Sequence, residues 1–309
     1  MSHGVAVRMY GAGIGDFALT VPFLAALAAE AAVYVVPASP AQAELAGRCP
    51  FVAGTLTWEE ARARASGVTG GWSTTDCNQA PDEPRRQIDG WRLIDLVDHP
   101  LQTGYWWGSE EFSKRFGHIT MYDVLERMFG LRGQYEPLPR LAARPEPGLA
   151  RTILLAPGGR RLTKLWPSER WLALTRELQD RGWSVATLGA AAEPYSHQID
   201  ELAERGIVHH ESATIGAALD AISGAAAVVG VDNGLVHLAA LQDRPAVALF
   251  GPAQAWHWAP RGRRTVALQG ACGLNCMRQP FAWRCPWHTC MREIDVDAVL
   301  TALLPLLSR

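Results

Sequence analysis

Short apolar segments alternate with amphipathic ones along most of the chain. A strand covered on both faces is a nearly continuous apolar run, whereas a surface helix repeats its apolar positions about every three or four residues. On this basis the predicted strands are residues 5–9, 33–36, 93–97, 152–155, 183–188, 225–230 and 246–250, and the predicted helices are residues 17–29, 119–129, 168–181, 193–205 and 296–307. Strands that alternate with helices predict an α/β fold with parallel sheets.

A proline-rich stretch interrupts this alternation. Residues 132–150 contain four prolines, and the strand-helix pattern restarts after them with clearer signals. A single hydrophobic core stops growing at roughly 250–300 residues, and this chain has 309. We therefore predict two domains, residues 1–145 and residues 151–309, with a ligand in the cleft at the carboxyl ends of their strands. Residues 67–117 are irregular and are expected to form long loops around one or two strands, such as residues 93–97.

Composition and charge exclude some classes of protein function. The formal net charge of −2 excludes a general nucleic-acid binder. No apolar run reaches the roughly 18 residues that a membrane span needs, and the first residues lack the basic start and apolar core of a signal peptide. We therefore expect a cytoplasmic protein whose six cysteines stay reduced.

The first chemical motif is a glycine-rich turn between a predicted strand and a predicted helix. It contains Gly11, Gly13 and Gly15 and ends at Asp16. A dinucleotide site would need the pattern GxGxxG, and a carboxylate at this turn would repel a pyrophosphate. Two interpretations of Asp16 stay open: a residue that caps the helix, and a general base at the cleft.

The second motif is a basic loop after the strand that begins the second domain. Gly158 and Gly159 precede the cations Arg160, Arg161 and Lys164. Glycines and cations at a strand end suit a diphosphate, and the alternative is a solvated basic loop. Lys164 is one of only two lysines among 29 basic residues, and Lys and Arg are not interchangeable at a phosphate.

The third motif runs from a strand through a turn into a helix. It contains Asp232, Asn233, Gly234 and His237. Asn233 is in the position of a helix cap, and His237 falls in the first turn, where it can face a ligand at the positive end of the helix. The alternative for His237 is a buried core histidine.

Four cysteines lie close together near the end of the sequence. They are Cys272, Cys276, Cys285 and Cys290. Clustered thiolates bind zinc or iron tetrahedrally, and His288 could replace one of them. The alternative is four ordinary thiols in a loop.

Four segments together resemble glycosyltransferase family 9, whose best-known members are the ADP-heptose heptosyltransferases of lipopolysaccharide core synthesis. The segments are GAGIGDFALTVP, PGGRRLTKLWPSERW, TLGAAAE and VVGVDNGLVHLAALQDRPAVALFGP. The resemblance covers the first 30 residues and residues 151–303, and it is poor over residues 50–117. It implies a GT-B fold, in which two Rossmann-like domains with parallel sheets face each other across a cleft. It also implies that the last helix, residues 296–307, packs back on the acceptor-binding N-terminal domain.

The resemblance also implies a reaction, namely inverting transfer of a sugar from a nucleotide sugar such as ADP-heptose, with no cofactor for the chemistry. Asp16 matches the general base of the family, Lys164 the lysine on the donor phosphates, and Glu193 the acidic residue near the nucleoside. Asp232, Gly234 and His237 match the donor motif. The sequence departs from the family where Asn233 replaces Ser or Thr, and where Gly159 and Arg160 replace hydroxyl residues.

The acceptor is left open between a glycan such as the lipopolysaccharide core and a protein hydroxyl. Some family members that glycosylate proteins have a four-cysteine metal finger, which makes a structural iron or zinc plausible and hints at a protein acceptor. Peripheral membrane contact also stays open. The alternative function is a non-catalytic nucleotide-sugar or glycan binding module whose metal finger recruits a partner. Release of ADP from ADP-heptose separates the two hypotheses.

Overall fold

The computed structural model of the chain describes residues 4–65, 91–97, 119–190, 197–271, 285, 287 and 289–308. It divides into two compact units, Met1–Ala142 and Ala143–Arg309. The division falls inside the proline-rich stretch that the sequence indicates as a linker. Among the described residues, every helix is too short or too polar to span a bilayer.

The first unit is built on a parallel sheet of four strands in the order β3-β2-β1-β4. Its strands are β1 (Gly4–Arg8), β2 (Ala32–Val36), β3 (Val52–Thr55) and β4 (Trp91–Asp95), and its helices are α1 (Ile14–Ala28), α2 (Pro40–Gly47), α3 (Trp58–Arg64) and α4 (Met121–Phe129). The sequence pattern misses β3, α2 and α3. It also places β4 two residues too late, because Trp91 and Arg92 do not extend its apolar run.

Helix α1 is apolar on most of its circumference because neighbouring elements cover it on several sides. Its buried residues include Phe17, Phe23 and Leu24, and Pro22 is tolerated inside it. The ring of Phe23 stacks on that of Phe129 with their centroids 4.9 Å apart, which joins α1 to α4. This packing helps to fix the position of α1, whose amino end follows β1 after a short turn.

The second unit is a parallel sheet of six strands in the order β10-β9-β8-β5-β6-β7. Its strands are β5 (Thr152–Ala156), β6 (Ser184–Leu188), β7 (Val208–His210), β8 (Ala227–Val231), β9 (Ala246–Phe250) and β10 (Thr265–Gln269). Its helices are α5 (Ser168–Asp180), α6 (His197–Glu204), α7 (Ile215–Gly224), α8 (Gly234–Leu241), α9 (Ala255–Trp258), α10 (Thr289–Glu293) and α11 (Val296–Leu307). This is the Rossmann strand order. Strands β5 to β7 extend the sheet towards one edge and β8 to β10 towards the other, so the strand order reverses between β5 and β8.

The core of the second unit explains the continuous apolar runs. Strands β5, β8 and β9 are buried along their whole length. The buried residues of α11, among them Val299 and Leu303, belong to the same core. The buried apolar residues of α11 therefore lie in the core of the second unit. The predicted α/β class with two parallel sheets is confirmed.

Candidate active site

The two glycine turns that the sequence indicates lie at the same topological position in their sheets. Residues 11–15, the first glycine turn, follow β1 where the first sheet reverses its order between β1 and β4. Residues 157–159, the second glycine turn, follow β5 where the second sheet reverses between β5 and β8. Ligands of open parallel sheets bind beside the carboxyl ends of the strands at such a reversal.

Asp16 is the third residue of α1, and the first glycine turn folds over its carboxylate. The N–H of Gly13 donates to Oδ2 of Asp16 at 3.2 Å. A Cβ on Gly13 would lie 2.7 Å from that oxygen, and one on Gly11 would lie closer still. Gly15 is inside the first turn of α1. Because Gly11 and Gly13 have no Cβ, the turn leaves room for the carboxylate of Asp16. This carboxylate caps α1, and Asp16 stays half-buried.

Tyr10 is a neighbour of Asp16 that the sequence analysis did not single out. Burial, followed by the negative charge of Asp16, raises the pKa of Tyr10 well above its ordinary value of 10. The tyrosine is therefore a neutral hydroxyl beside the carboxylate at physiological pH. Its position directly before the glycine turn was the signal available in the sequence.

Gln42 on α2 was also missed, and it holds the first glycine turn from the other side. Its side chain is fully buried, and its Nε2 donates to the carbonyl oxygens of Gly11 and Gly13, the latter at 3.0 Å. Its Oε1 accepts from the N–H of Ala38 at 2.9 Å. Ser39-x-x-Gln42 has the form of a helix capping box, and this was a sequence signal for α2 and for Gln42.

In the second unit, Lys164 and Asp232 come together although 68 positions separate them. Lys164 ends the short 3₁₀ turn Leu162–Lys164 after the second glycine turn, and Asp232 follows β8. The ammonium Nζ of Lys164 donates to Oδ2 of Asp232 at 2.6 Å, and the two side chains are 21% and 11% exposed. Because water reaches this ion pair only partly, its charges are weakly screened.

Asn233 follows β8, and its side chain bonds to the end of β5, the neighbouring strand where the strand order reverses. Its Nδ2 donates to the carbonyl oxygens of Ala156 at 3.1 Å and Gly158 at 2.9 Å. Its Oδ1 accepts from the N–H of Leu235 at 3.0 Å, so the predicted capping of α8 is confirmed. Both the nitrogen and the oxygen of the Asn233 side chain therefore form hydrogen bonds within the protein.

His237 lies in the first turn of α8, with only 5% of its surface exposed. The pKa of His237 is lowered from its ordinary value of 6.5 to about 4, mainly by burial; the charge of Asp232 opposes this shift and the charge of Lys164 adds to it. Its Nδ1 has no hydrogen-bond partner among the described residues. The imidazole is therefore neutral near pH 7 and contributes no positive charge.

The remaining predicted residues divide between exposed, buried and undescribed positions. Gly158 and Gly159 are buried, whereas the residues Arg160 and Arg161 are exposed. Gly234 begins α8. Glu193, Cys272, Cys276 and His288 lie outside the described residues.

The described cysteines of the cluster occupy different environments. The Cys290 side chain is buried beside Gly251 and Met291, and Cys285 is half-buried. Within the described ranges, no three cysteine, histidine or acidic side chains form a group that could hold a metal ion.

Part of the chain is similar in sequence to known proteins. A family model described as "Glycosyltransferase family 9 (heptosyltransferase)" matches residues 139–280. Lipopolysaccharide heptosyltransferase 1 of Pseudomonas aeruginosa is 38% identical over 114 residues, which are 35% of this chain and 30% of that protein. Lipooligosaccharide heptosyltransferase 2 of Haemophilus influenzae is 34% identical over 112 residues, 34% of this chain and 32% of that protein. The matched part spans about a third of the length of these two curated relatives.

Solved structures extend the likeness of fold to the whole chain. The Escherichia coli ADP-heptose LPS heptosyltransferase II has a TM-score of 0.62 at 19% identity, with 100% of this chain and 99% of that one covered. Escherichia coli heptosyltransferase WaaC with ADP has a TM-score of 0.62 at 17% identity and covers 98% and 99% of the two chains. The iron-containing dodecameric glycosyltransferase TibC from enterotoxigenic E. coli H10407 has a TM-score of 0.62 at 16% identity, with 99% of this chain and 78% of that one covered.

Proposed function

We propose that this chain, a member of glycosyltransferase family 9, transfers a heptose from ADP-heptose to an acceptor hydroxyl with inversion at the anomeric carbon. The observation that carries the proposal is the Lys164–Asp232 pair, held at 2.6 Å where a Rossmann sheet reverses its strand order. Such a reversal is where a nucleotide binds, and an ammonium there suits its diphosphate. The similarity to heptosyltransferases, and the ADP and ADP-2-deoxy-2-fluoro heptose bound in two structures of WaaC, support heptose and ADP.

The second unit is proposed to bind the donor. Lys164 supplies a positive charge to the diphosphate, and the second glycine turn lets the backbone approach it, because Gly158 and Gly159 carry no side chain. The amino end of α8 adds a partial positive charge. Glu193 is proposed to contact the nucleoside, as the family resemblance implies. These groups stabilise charge that develops on the leaving ADP, so the proposed chemistry uses no metal cofactor.

The first unit is proposed to bind the acceptor and to supply the base. The carboxylate of Asp16 takes the proton of the acceptor hydroxyl, whose oxygen forms a bond to the anomeric carbon as the bond from that carbon to the diphosphate oxygen breaks. The acceptor is a hydroxyl of the lipopolysaccharide core or of a protein. Because Asp16 is fixed by the N–H of Gly13, its carboxylate needs little reorganisation before it accepts the proton.

Release of ADP tests the proposal. The full chain is incubated with ADP-heptose, with and without a lipid or protein acceptor, and ADP is measured by a coupled assay. Asp16→Asn should abolish acceptor-dependent release, while calorimetry shows ADP binding of wild-type affinity. Glu59→Gln, which changes an exposed carboxylate on α3, is the matched control and should keep wild-type activity. Wild-type transfer by Asp16→Asn would remove the base assignment, and ADP binding without any release would favour the binding-module hypothesis.

For the cysteine cluster we propose a structural iron or zinc held by Cys272, Cys276, Cys285 and Cys290. Thiolates are suitable donors for both metals, and the buried position of Cys290 would keep a metal away from solvent. The iron in TibC supports the proposal. Elemental analysis of gently purified protein should find one metal per chain.

A double substitution tests the metal proposal, and a single one is its control. Cys272→Ser with Cys276→Ser should remove the metal. Cys49→Ser should retain it, because burial raises the pKa of the Cys49 thiol and keeps it protonated in the core of the first unit. Metal-free wild-type protein would support four ordinary thiols instead.

A further inference from the structure

We infer that Gln42 is a positioning residue for the base Asp16, and that it acts through the first glycine turn. This inference rests on the proposed function. Gly13 makes both of the decisive contacts: its N–H donates to Oδ2 of Asp16 at 3.2 Å, and its carbonyl oxygen accepts from Nε2 of Gln42 at 3.0 Å. One residue of the turn thus connects the buried amide of α2 to the carboxylate on α1.

The orientation of the Gln42 amide is determined by its partners. Oε1 accepts from the N–H of Ala38 at 2.9 Å, and an amide nitrogen could not take this place. The NH₂ group must therefore point at the glycine turn, where its two hydrogens meet the carbonyl oxygens of Gly11 and Gly13. All three groups that the amide contacts belong to the backbone, so the contact fixes the path of the chain.

A second contact ties the same helix end to the same turn. The hydroxyl of Ser39 donates to the carbonyl oxygen of Ala12 at 3.1 Å, and Ser39 also caps α2. The carbonyl oxygens of three successive residues, 11 to 13, therefore bond to the amino end of α2. A glycine-rich turn has much conformational freedom of its own, so these bonds are what hold it against the carboxylate.

The physical consequence is a split between catalysis and donor binding. Asp16 and Gln42 belong to the first unit, whereas the residues proposed for the diphosphate belong to the second. Loss of the Gln42 amide should displace the turn and misplace the carboxylate, and a displacement of about 1 Å can cost about 100-fold in rate. The affinity for ADP should stay unchanged because no donor contact is altered.

The test compares two substitutions of buried residues on α2. Gln42→Leu removes the amide and keeps an apolar side chain of similar size, and we expect kcat to fall about 10- to 100-fold with the dissociation constant of ADP unchanged. Leu45→Ala is the matched control, since Leu45 is also fully buried on α2 but its side chain cannot donate a hydrogen bond to the turn. It should lower the melting temperature while kcat, measured well below that temperature, stays at the wild-type value.

A milder variant covers the case in which Gln42→Leu does not fold. Ser39→Ala removes the bond to Ala12 at a half-buried position and should lower kcat several-fold, again with unchanged ADP affinity. The inference is overturned if the folded variants keep wild-type kcat, or if Leu45→Ala, measured well below its melting temperature, loses as much kcat as Gln42→Leu. Failure of the proposed function is a separate result, because the wild-type chain would then release no ADP.

Discussion

Two glycine turns occupy the same topological position in two sheets, and they differ in the charge that they hold. The first turn, residues 11–15, leads directly into α1 and folds over the carboxylate of Asp16. The second turn, residues 157–159, leads into a 3₁₀ turn that carries Lys164. A carboxamide holds each of them, Gln42 in the first unit and Asn233 in the second.

The comparison shows how one backbone plan provides both an acidic and a basic site. The positive end of α1 is already compensated by the carboxylate of Asp16, so it has little attraction left for a phosphate. The positive end of α8 is capped by the neutral amide of Asn233 and keeps its attraction for an anion. Helix α1 follows the first strand of its unit and α8 the fourth strand of its own, and the residue that caps each helix determines the charge that the helix end presents.

The largest effect is expected from removing the cation beside the second turn. Lys164→Ala should reduce transfer by about 100- to 1,000-fold, since it removes one group that stabilises the leaving diphosphate. Calorimetry should show weaker binding of ADP. Arg176→Ala, at an exposed position on α5, is the control for loss of a positive charge and should behave like the wild type. Unchanged ADP affinity in Lys164→Ala would refute its phosphate role.

A smaller effect is expected from filling the space inside the first turn. The Cβ of Gly13→Ala would lie 2.7 Å from Oδ2 of Asp16, so the carboxylate or the turn must move. We expect kcat to fall by about 10-fold or more, because positioning of the base is lost, with ADP affinity unchanged. Gly47→Ala is the control, because a Cβ at that helical position meets no atom within 4 Å. If the two variants had equal kcat, the first turn would not position the base.

The smallest expected effect concerns the pH dependence of stability. The pKa of His237 is about 4 in the folded chain and 6.5 ordinarily, so between these values the unfolded chain binds more protons than the folded one. The free energy of unfolding should therefore fall as the pH drops through this range, by about 1 kcal/mol or less between pH 7 and pH 6. Urea titrations of wild type and His237→Gln at several pH values measure this contribution. An equally steep decline in the variant would assign the pH dependence to other groups.

Some of these contacts could be predicted from the sequence, whereas others depend on how distant elements pack in the folded chain. Lys164 and Asp232 each follow a predicted strand, and parallel strands place such ends at one edge, so their approach is implied by the pattern. Gln42 could not be linked to Gly13 in this way because that contact depends on α2 lying beside the turn after β1. His237 required the burial around α8 before its protonation state could be decided.

The short bond between Lys164 and Asp232 would make binding of the proposed donor an exchange of counter-ions. The ammonium already has an anionic partner before a nucleotide arrives, so the diphosphate competes with a carboxylate and not only with water. Part of the attraction between donor and enzyme is consumed in this competition, and the ADP affinity of Asp232→Asn, which should be higher than that of the wild type, measures how much. In the proposed donor site, the same exchange would leave the carboxylate of Asp232 available to accept a hydrogen bond from the donor sugar.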